Sequence, residues 1–254
     1  MTSVPQALLD LPVVGLEELN SAASLQMRVD RKYVVPLTGL GAVLEGLPPG
    51  TRALQIAGEL DPGYTSVYLD TPDLACFHAA GRRRRRRAKV RVRSYASTGA
   101  QFLEVKTIDG RGTTHKHRRP HNGALPLSPD ARCFVDDLLS GLHLPALARA
   151  LSPVLTTSYR RCTVLLPAVE GEAPARATVD LGLLCQASGT GSVLDLDTVA
   201  VVETKAGLRA TALDRALWRA GHRPARMSKF GLGMALTHPD LTAEKWHRTL
   251  RLLT

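Results

Sequence analysis

The chain reads as an α+β protein built on an antiparallel β-barrel tunnel with flanking helices. Three observations predict this. Lys and Arg recur at every second position in several strand-like stretches, the longest being Arg85, Arg87, Lys89, Arg91 and Arg93 with Val90 and Val92 between the later cations. Carboxylates join the same series, as Glu104 beside Lys106 and Glu203 beside Lys205. These stretches follow one another with turns and helices between them, as in an antiparallel sheet whose helices pack around it. Residues i and i+2 of a strand share a face, so each strand carries one charged and one apolar face. A charged face is ordinarily a solvent face. Here the charges are mostly cationic, recur on several strands and include carboxylates, and a closed sheet with those faces inward would form a basic tunnel for a polyanion that carries a metal ion.

The elements follow in order. Leu16 to Ala23 predicts a helix within an N-terminal segment, 1–27. A strand is expected from about Arg28 to Val35. Thr38 is a candidate cap for a short helix bearing Leu40, Val43, Leu44 and Leu47, ended by Pro48-Pro49-Gly50. Tyr64 to Leu69 alternates as a strand, closed by the turn Asp70-Thr71-Pro72-Asp73. After Gly81 the arginine run leads into a strand at Arg87 to Ser94, and Ser97-Thr98-Gly99 turns into a strand at Phe102 to Thr107. A basic strand or loop runs on to Arg119. Ser128-Pro129 places Ser at an N-cap and Pro at the first helical position, before Cys133, Phe134, Leu138 and Leu139. A second short helix is expected after Pro145. Strands then come at Val154 to Leu165, Arg176 to Leu181 and Val199 to Lys205. Thr211 caps a helix through Trp218, Ser228 caps another bearing Leu232 and Leu236, and Leu241 to Leu253 reads as a basic amphipathic helix. No long linker divides the chain, which predicts a single domain over 1–254.

With 254 residues, 44% of them hydrophobic, the chain can bury a core. A formal charge of +10 favours an anionic partner, and 4% aromatic residues leave few stacking platforms, which disfavours nucleic acid. Cys76, Cys133, Cys162 and Cys185 form no metal-like spacing and are expected buried and reduced, as in a cytoplasmic protein. Met1 to Asp10 lacks the pattern of a signal peptide, and no stretch reaches the ~20 apolar residues of a spanning helix. The basic C-terminal segment leaves room for a peripheral contact with the membrane or a membrane-protein partner.

Six segments, in order, resemble the VTC domain, the polyphosphate polymerase module of the vacuolar transporter chaperone complex and a member of the triphosphate tunnel metalloenzymes. They are Asp30-Arg31-Lys32-Tyr33, Lys89 to Tyr95, Phe102 to Lys106, Tyr159-Arg160-Arg161, Val202 to Lys205, and Ser228-Lys229-Phe230. The resemblance covers about 28–236. It implies a tunnel whose walls bind triphosphate and polyphosphate. Lys32, Arg91, Arg93 and Lys106 would grip nucleotide phosphates, with Lys89 and Lys205 in the same cationic series. Tyr159 and Arg161 match the family's Tyr-x-Arg, and Arg176 its later tunnel arginine. Arg226, Ser228 and Lys229 match a closing basic-x-Ser-Lys element. Glu203 matches the metal-holding glutamate for Mn²⁺ or Mg²⁺, with Glu104 and Asp180 as weaker candidates for the metal or for orienting cations. The Glu-x-Glu-x-Lys opening of the wider superfamily is replaced by Arg28, Asp30 and Lys32, and the loss of the first acid argues against a two-metal hydrolase.

The chemistry of these residue types agrees with that reading. Arg offers phosphate a bidentate fork and Lys a point charge. A hard divalent ion needs oxygen ligands among those cations, and a carboxylate surrounded by cations stays ionised. The resemblance implies a polymerase that moves the ATP γ-phosphoryl group onto a growing polyphosphate. A tunnel triphosphatase and a non-catalytic module binding polyphosphate or inositol phosphates remain as alternatives. Outside this set, Arg82 to Arg87 is expected as an exposed turn, with Arg85 and Arg87 as candidates for the tunnel mouth. His115-x-His117 is expected in a solvated loop, and Tyr64, Tyr68 and Trp218 in the core. Gly231-x-Gly233 lacks the third glycine of a dinucleotide fingerprint.

Overall fold

The computed structural model describes residues 3–23, 29–144, 147–168, 173–238, 240–242 and 244–253. Arg28 and Pro145 therefore lie outside the described residues. One 11-stranded sheet organises the chain. Its hydrogen-bonded path runs β2 (Val29–Pro36), β11 (Val199–Ala206), β9 (Ala175–Ala187), β8 (Ser152–Leu166), β4 (Gly63–Asp70), β5 (Arg87–Tyr95), β6 (Gln101–Ile108) and β7 (Thr114–Pro120). Every pairing on this path is antiparallel. Short strands extend it: β1 (Val13–Val14) pairs parallel with β3 (Arg52–Leu54), β3 pairs with β8, and β10 (Val193–Leu196) pairs with β9. The path ends at β2 and β7, so among the described residues hydrogen bonds do not close the sheet. It curls instead into a tunnel-like trough, and Lys106 on β6 comes within electrostatic reach of Lys32 on β2.

Alternation sorts the strand residues onto two faces. On the outer face of β5 and β6, Val90, Val92, Leu103 and Val105 pack against Ala131, Val135 and Leu139 of α5 (Pro129–Ser140). That helix starts at Ser128, whose Oγ accepts from the Ala131 N–H at 3.3 Å. The outer face of β2, β11, β9 and β8 buries Tyr33, Val35, Val202, Val179 and Cys162 under α1 (Gln6–Leu9), α3 (Leu37–Glu45) and α6 (Ala212–Arg219). Helix α6 opens with a capping box between Thr211 and Asp214. Asp214 is fully buried and accepts from the Tyr33 hydroxyl at 2.7 Å, from Thr204 Oγ1 at 2.7 Å and from the Thr211 N–H at 2.7 Å, which ties β2, β11 and α6 together.

The inner face is apolar at its ends and charged between them. At one end, α7 (Lys229–Thr237) places Phe230, Leu232 and Met234 on Val34, Leu155, Leu183, Cys185 and Val201. A bulge in β9 helps: Gly182 has φ +58°, which glycine adopts readily, and the register shift turns Leu183 and Cys185 inward. Helix α4 (Ala75–Gly81) adds Phe77 and Ala80 to this end. At the other end, α2 (Leu16–Ala22) packs Leu19 against Leu165 and Leu54.

Several expectations need correction. Helix α3 starts at Leu37 after Pro36, without a side-chain cap from Thr38. Helix α4 fills the stretch between the turn at Asp70 to Asp73 and the arginine run, to which the sequence reading assigned no element. It forms because the buried Asp70 carboxylate accepts from the backbone N–H groups of Cys76 and Phe77, both at 2.9 Å. The continuous C-terminal helix is replaced by a 3₁₀ turn, Glu244–Trp246, and the single-turn α8 (His247–Leu250). Its apolar residues cover the tunnel end, with Trp246 only 1% exposed and Leu241, Leu250 and Leu253 packed alongside. The described residues after Pro145 form turns. Cys133 is exposed because the buried stripe of α5 is Ala131, Val135 and Leu139. No helix among the described residues is long and apolar enough to cross a membrane.

Candidate active site

The charged middle of the inner face follows from strand register. Arg91 stands opposite Glu104 and Lys89 opposite Lys106 across β5 and β6. Glu104 and Lys106 face Arg118 and Lys116 on β7. Across β2, β11 and β9, Glu203 stands opposite Lys32, and Lys205 stands between Asp30 and Arg176. Arg161 on β8 stands opposite Asp180 on β9. Residues directly opposite in an antiparallel pair share a face, so all of these project into one chamber.

Each buried carboxylate of this chamber is held by two cations. Glu104, 2% exposed, accepts from Arg91 Nε at 2.8 Å and Nη2 at 2.5 Å through Oε2, while Lys116 reaches Oε1 at 2.9 Å. Asp180, 1% exposed, accepts from Arg161 Nε at 2.5 Å and Nη2 at 2.8 Å and is also paired with Lys229 at the start of α7. Glu203 accepts from Lys32 Nζ at 2.8 Å and from Lys205, both through Oε1. Burial alone would raise these acids. The cations outweigh it: Arg91, Lys116 and Arg93 bring Glu104 down to about 2, Arg161 and Lys229 bring Asp180 to about 2, and Lys205 and Lys32 hold Glu203 well below the carboxylate range.

Among the described residues Arg93, Lys89 and Lys106 show no carboxylate in ion-pair contact. Arg93 is buried, with Nε on the Ser66 hydroxyl and Nη2 on the Tyr159 hydroxyl, both at 3.0 Å. Tyr64 stacks on Tyr159 with centroids 5.5 Å apart, and Arg93, Arg161 and Lys229 lie over this aromatic wall at 5.7, 5.3 and 4.3 Å. Lys89 sits over the Phe230 ring at 5.8 Å. Burial, then Lys106, Lys245, Arg91 and Lys32, push Lys89 down to about 7. Lys106 is lowered by burial and by Lys32, against Asp30 and Glu203. A cluster of cations that depress one another's charge is a site built for an anion.

The structure thus brings together Lys32, Lys89, Arg91, Arg93, Lys106, Tyr159, Arg161, Glu203, Lys205 and Lys229, with Glu104 and Asp180 as buried acids between them. Arg176 lies nearer the α2 end, with Nη1 3.5 Å from Asn20 Oδ1. Ser228 caps α7, its Oγ accepting from the Gly231 N–H at 3.0 Å. Ser228 and Arg226 line a cavity of about 350 Å³ at the chamber's mouth. Of the arginine run, Arg82 to Arg86 are exposed, and Arg83 and Arg87 reach this mouth. Tyr68 is buried, whereas Tyr64 and Tyr68 both face the chamber side of β4 rather than the outer core. Sequence reasoning missed Lys116, Arg118 and Lys245. On β7 the alternate residues His115, His117 and Arg119 are polar too, so the inward set had no apolar contrast to reveal it.

Among the described residues no group of three or more His, Cys, Asp or Glu side chains could cage a metal ion, and His115 instead contacts Asp109 at 3.3 Å. The donor set fits a substrate-borne ion better. Both oxygens of Glu104 and of Asp180 are taken by cations, while no hydrogen bond reaches Glu203 Oε2 among the described residues. Asp30 lies on the same face, its Oδ2 3.9 Å from Lys205 Nζ. Mg²⁺-type ions commonly use one or two carboxylates, with phosphate oxygens and waters as the other ligands.

Comparison with solved structures finds low-identity likenesses. A candidate adenylyl cyclase from Hippeastrum with a dominant triphosphatase activity is 13% identical at a TM-score of 0.45, covering 86% of this chain and 100% of that one. A candidate adenylate cyclase from Bacillus halodurans is 14% identical at 0.44, covering 80% and 94%. Another, from Vibrio parahaemolyticus, is 12% identical at 0.39, covering 77% and 87%. No curated protein sequence matches the chain. The VTC domain signature matches residues 27–238, from the strand that carries Lys32 to the end of the helix that begins at Lys229, and the chain belongs to the VTC domain family.

Proposed function

We propose that this protein is a polyphosphate polymerase that transfers the γ-phosphoryl group of ATP to the end of a polyphosphate chain. The observation that carries the reading is the chamber itself, where Lys32, Arg91, Arg93, Lys106, Arg161, Lys205 and Lys229 converge around three acids that are all ionised and paired. Phosphoryl transfer needs positioning and charge neutralisation more than covalent help from the protein. Arg91, Arg93 and Arg161 offer forks to the phosphate oxygens, and Lys32, Lys106 and Lys229 add point charges. Glu104 and Asp180 fix the guanidinium planes of Arg91 and Arg161. Glu203, with Asp30 nearby, would hold Mn²⁺ or Mg²⁺ carried in by the nucleotide. Such an ion supplies charge neutralisation at the β- and γ-phosphates.

In the proposed step a terminal oxygen of the acceptor chain forms a bond to the γ-phosphorus. The bond from that phosphorus to the β–γ bridging oxygen breaks, and ADP leaves with the electron pair. The acceptor oxygen is already anionic, so no general base is required. Glu104, Asp180 and Glu203 are held ionised by their paired cations, which suits them to orienting those cations rather than to taking up a proton. Lys89 titrates near neutrality in the free protein, but phosphate oxygens beside it restore its proton.

Phosphorus NMR of the protein with ATP and Mn²⁺ tests the reading. Growth of a mid-chain phosphate resonance with ADP supports it. Orthophosphate and ADP without mid-chain signal selects a tunnel triphosphatase, and polyphosphate binding without turnover selects a binding module.

A further inference from the structure

One inner row of the sheet carries a hydroxyl that the free protein leaves unused. Across β2, β11, β9 and β8 the residues directly opposite one another are Lys32, Glu203, Thr178 and Thr163. Residues so placed share a face and hold their Cβ atoms about 4.5–5.5 Å apart. Thr178 therefore stands beside Glu203 on the chamber wall, while its chain neighbours Ala177 and Val179 pack in the outer core. It is 3% exposed, and its Oγ1 is buried with no hydrogen-bond partner among the described residues, Thr163 included. A hydroxyl sealed from water without a partner is costly. Valine has nearly the same shape without that cost and fills nearby positions such as Val179 and Val201, so packing alone does not call for threonine at 178. Two other buried hydroxyls of this face, those of Ser66 and Tyr159, accept from Arg93. Thr157 is a second orphan, but the residues opposite it, Ser66 and Cys185, carry no charge.

We infer that Thr178 is a positioning residue for Glu203: its hydroxyl donates to that carboxylate when a substrate-borne divalent ion binds there. The inference rests on the metal role proposed above for Glu203 and adds a part to it. In the free protein Lys32 and Lys205 both hold Glu203 Oε1. Lys32 stands on the side of Glu203 away from Thr178, so its pull draws the carboxylate from β9 toward β2. An incoming phosphate competes for both ammonium groups, since Lys serves it as a point charge. Once they turn to the anion, Glu203 has lost the donors that oriented it, and the hydroxyl directly across from it is the one without a partner. Carboxylates that ligate metals are themselves oriented by hydrogen bonds from outer groups. Thr178 is idle in the free protein and engaged in the loaded one.

Mn²⁺ binding to the full chain, held in excess over tripolyphosphate and followed by electron paramagnetic resonance, tests this. Thr178→Val should weaken Mn²⁺ binding by about tenfold and leave the affinity for metal-free tripolyphosphate unchanged. Thr178→Ser, which keeps the hydroxyl, should restore most of the lost Mn²⁺ affinity. Thr157→Val, which removes the orphan with no carboxylate opposite, should leave that affinity as it is. In urea, free Thr178→Val should unfold at a midpoint no lower than wild type, because no hydrogen bond of the free protein is lost. Unchanged Mn²⁺ affinity in Thr178→Val, no rescue by Ser, an equal loss in Thr157→Val, or a lowered urea midpoint would overturn the role of Thr178 and leave the chamber intact. A wild type that binds Mn²⁺ no more tightly than free tripolyphosphate does would overturn the metal role of Glu203 and the inference with it.

Discussion

Replacing Lys89 with Met should stabilise the free protein, and by an amount that depends on pH. Lys89 is pushed from 10.5 to about 7 by burial and by Lys106, Lys245, Arg91 and Lys32, and among the described residues no carboxylate pairs with it. Below about pH 7 both folded and unfolded chains carry its proton, and the whole cost of the buried charge falls on the folded state. Between about 7 and 10.5 the unfolded chain holds the proton that the folded one has lost, so stability gains as pH rises. Taken whole, the shift corresponds to about 5 kcal/mol at 1.36 kcal/mol per pH unit. That figure is the upper bound on the gain for Lys89→Met near pH 6, and screening of the ammonium at the mouth cavity would narrow the pH window in proportion. Urea unfolding of both proteins across pH should show this gap shrinking above about pH 7 and closing near 10.5. Bound polyphosphate should reverse the effect: calorimetry in buffers of different ionisation enthalpy should find up to about one proton taken up per chain near pH 8. A gap that stays flat with pH, or binding without proton uptake, would refute the reasoning.

Other consequences follow from single contacts. Glu203→Gln frees Lys32 and Lys205, so metal-free tripolyphosphate should bind at least as tightly while metal-dependent turnover falls about hundredfold; full activity with an unchanged metal requirement would remove Glu203 from that role. Asp214→Ala strips the Tyr33 and Thr204 hydroxyls and the Thr211 cap of their shared acceptor. It should cost about 3 kcal/mol in urea unfolding, and a loss under half that would mean the network relaxes. Gly231→Ala drives a methyl group into the Trp246 ring. It should destabilise by about 1–3 kcal/mol and shift tryptophan emission to the red, whereas an unshifted spectrum would mean the C-terminal turn adjusts without opening.

The chamber was legible wherever charged inward residues alternate with apolar outward ones. Arg91 and Arg93 flank Val92, which packs under α5, and Glu203 precedes Thr204 and Lys205 on a strand whose other face is Ala200 and Val202. Strand β7 defeated that signal because both of its faces are polar. Register was not legible at all: that Arg161 meets Asp180, or that Lys116 meets Glu104, depends on how neighbouring strands align across their connecting loops, with a bulge in β9 shifting the first pair. Helix α4 hid because its start is organised by a carboxylate that precedes it by several residues. The C-terminal segment has the composition of an amphipathic helix, yet its apolar residues are spent on covering α7, and only short turns form.

The central claim is that this chamber joins phosphates. The most direct test is incubation of the purified protein with ATP and Mn²⁺, beside a Lys106→Ala control, with products resolved on a polyphosphate gel. The account predicts a ladder of polymer with ADP that is lost in the variant; ATP consumption with no polymer, or a ladder untouched by loss of Lys106, would contradict it.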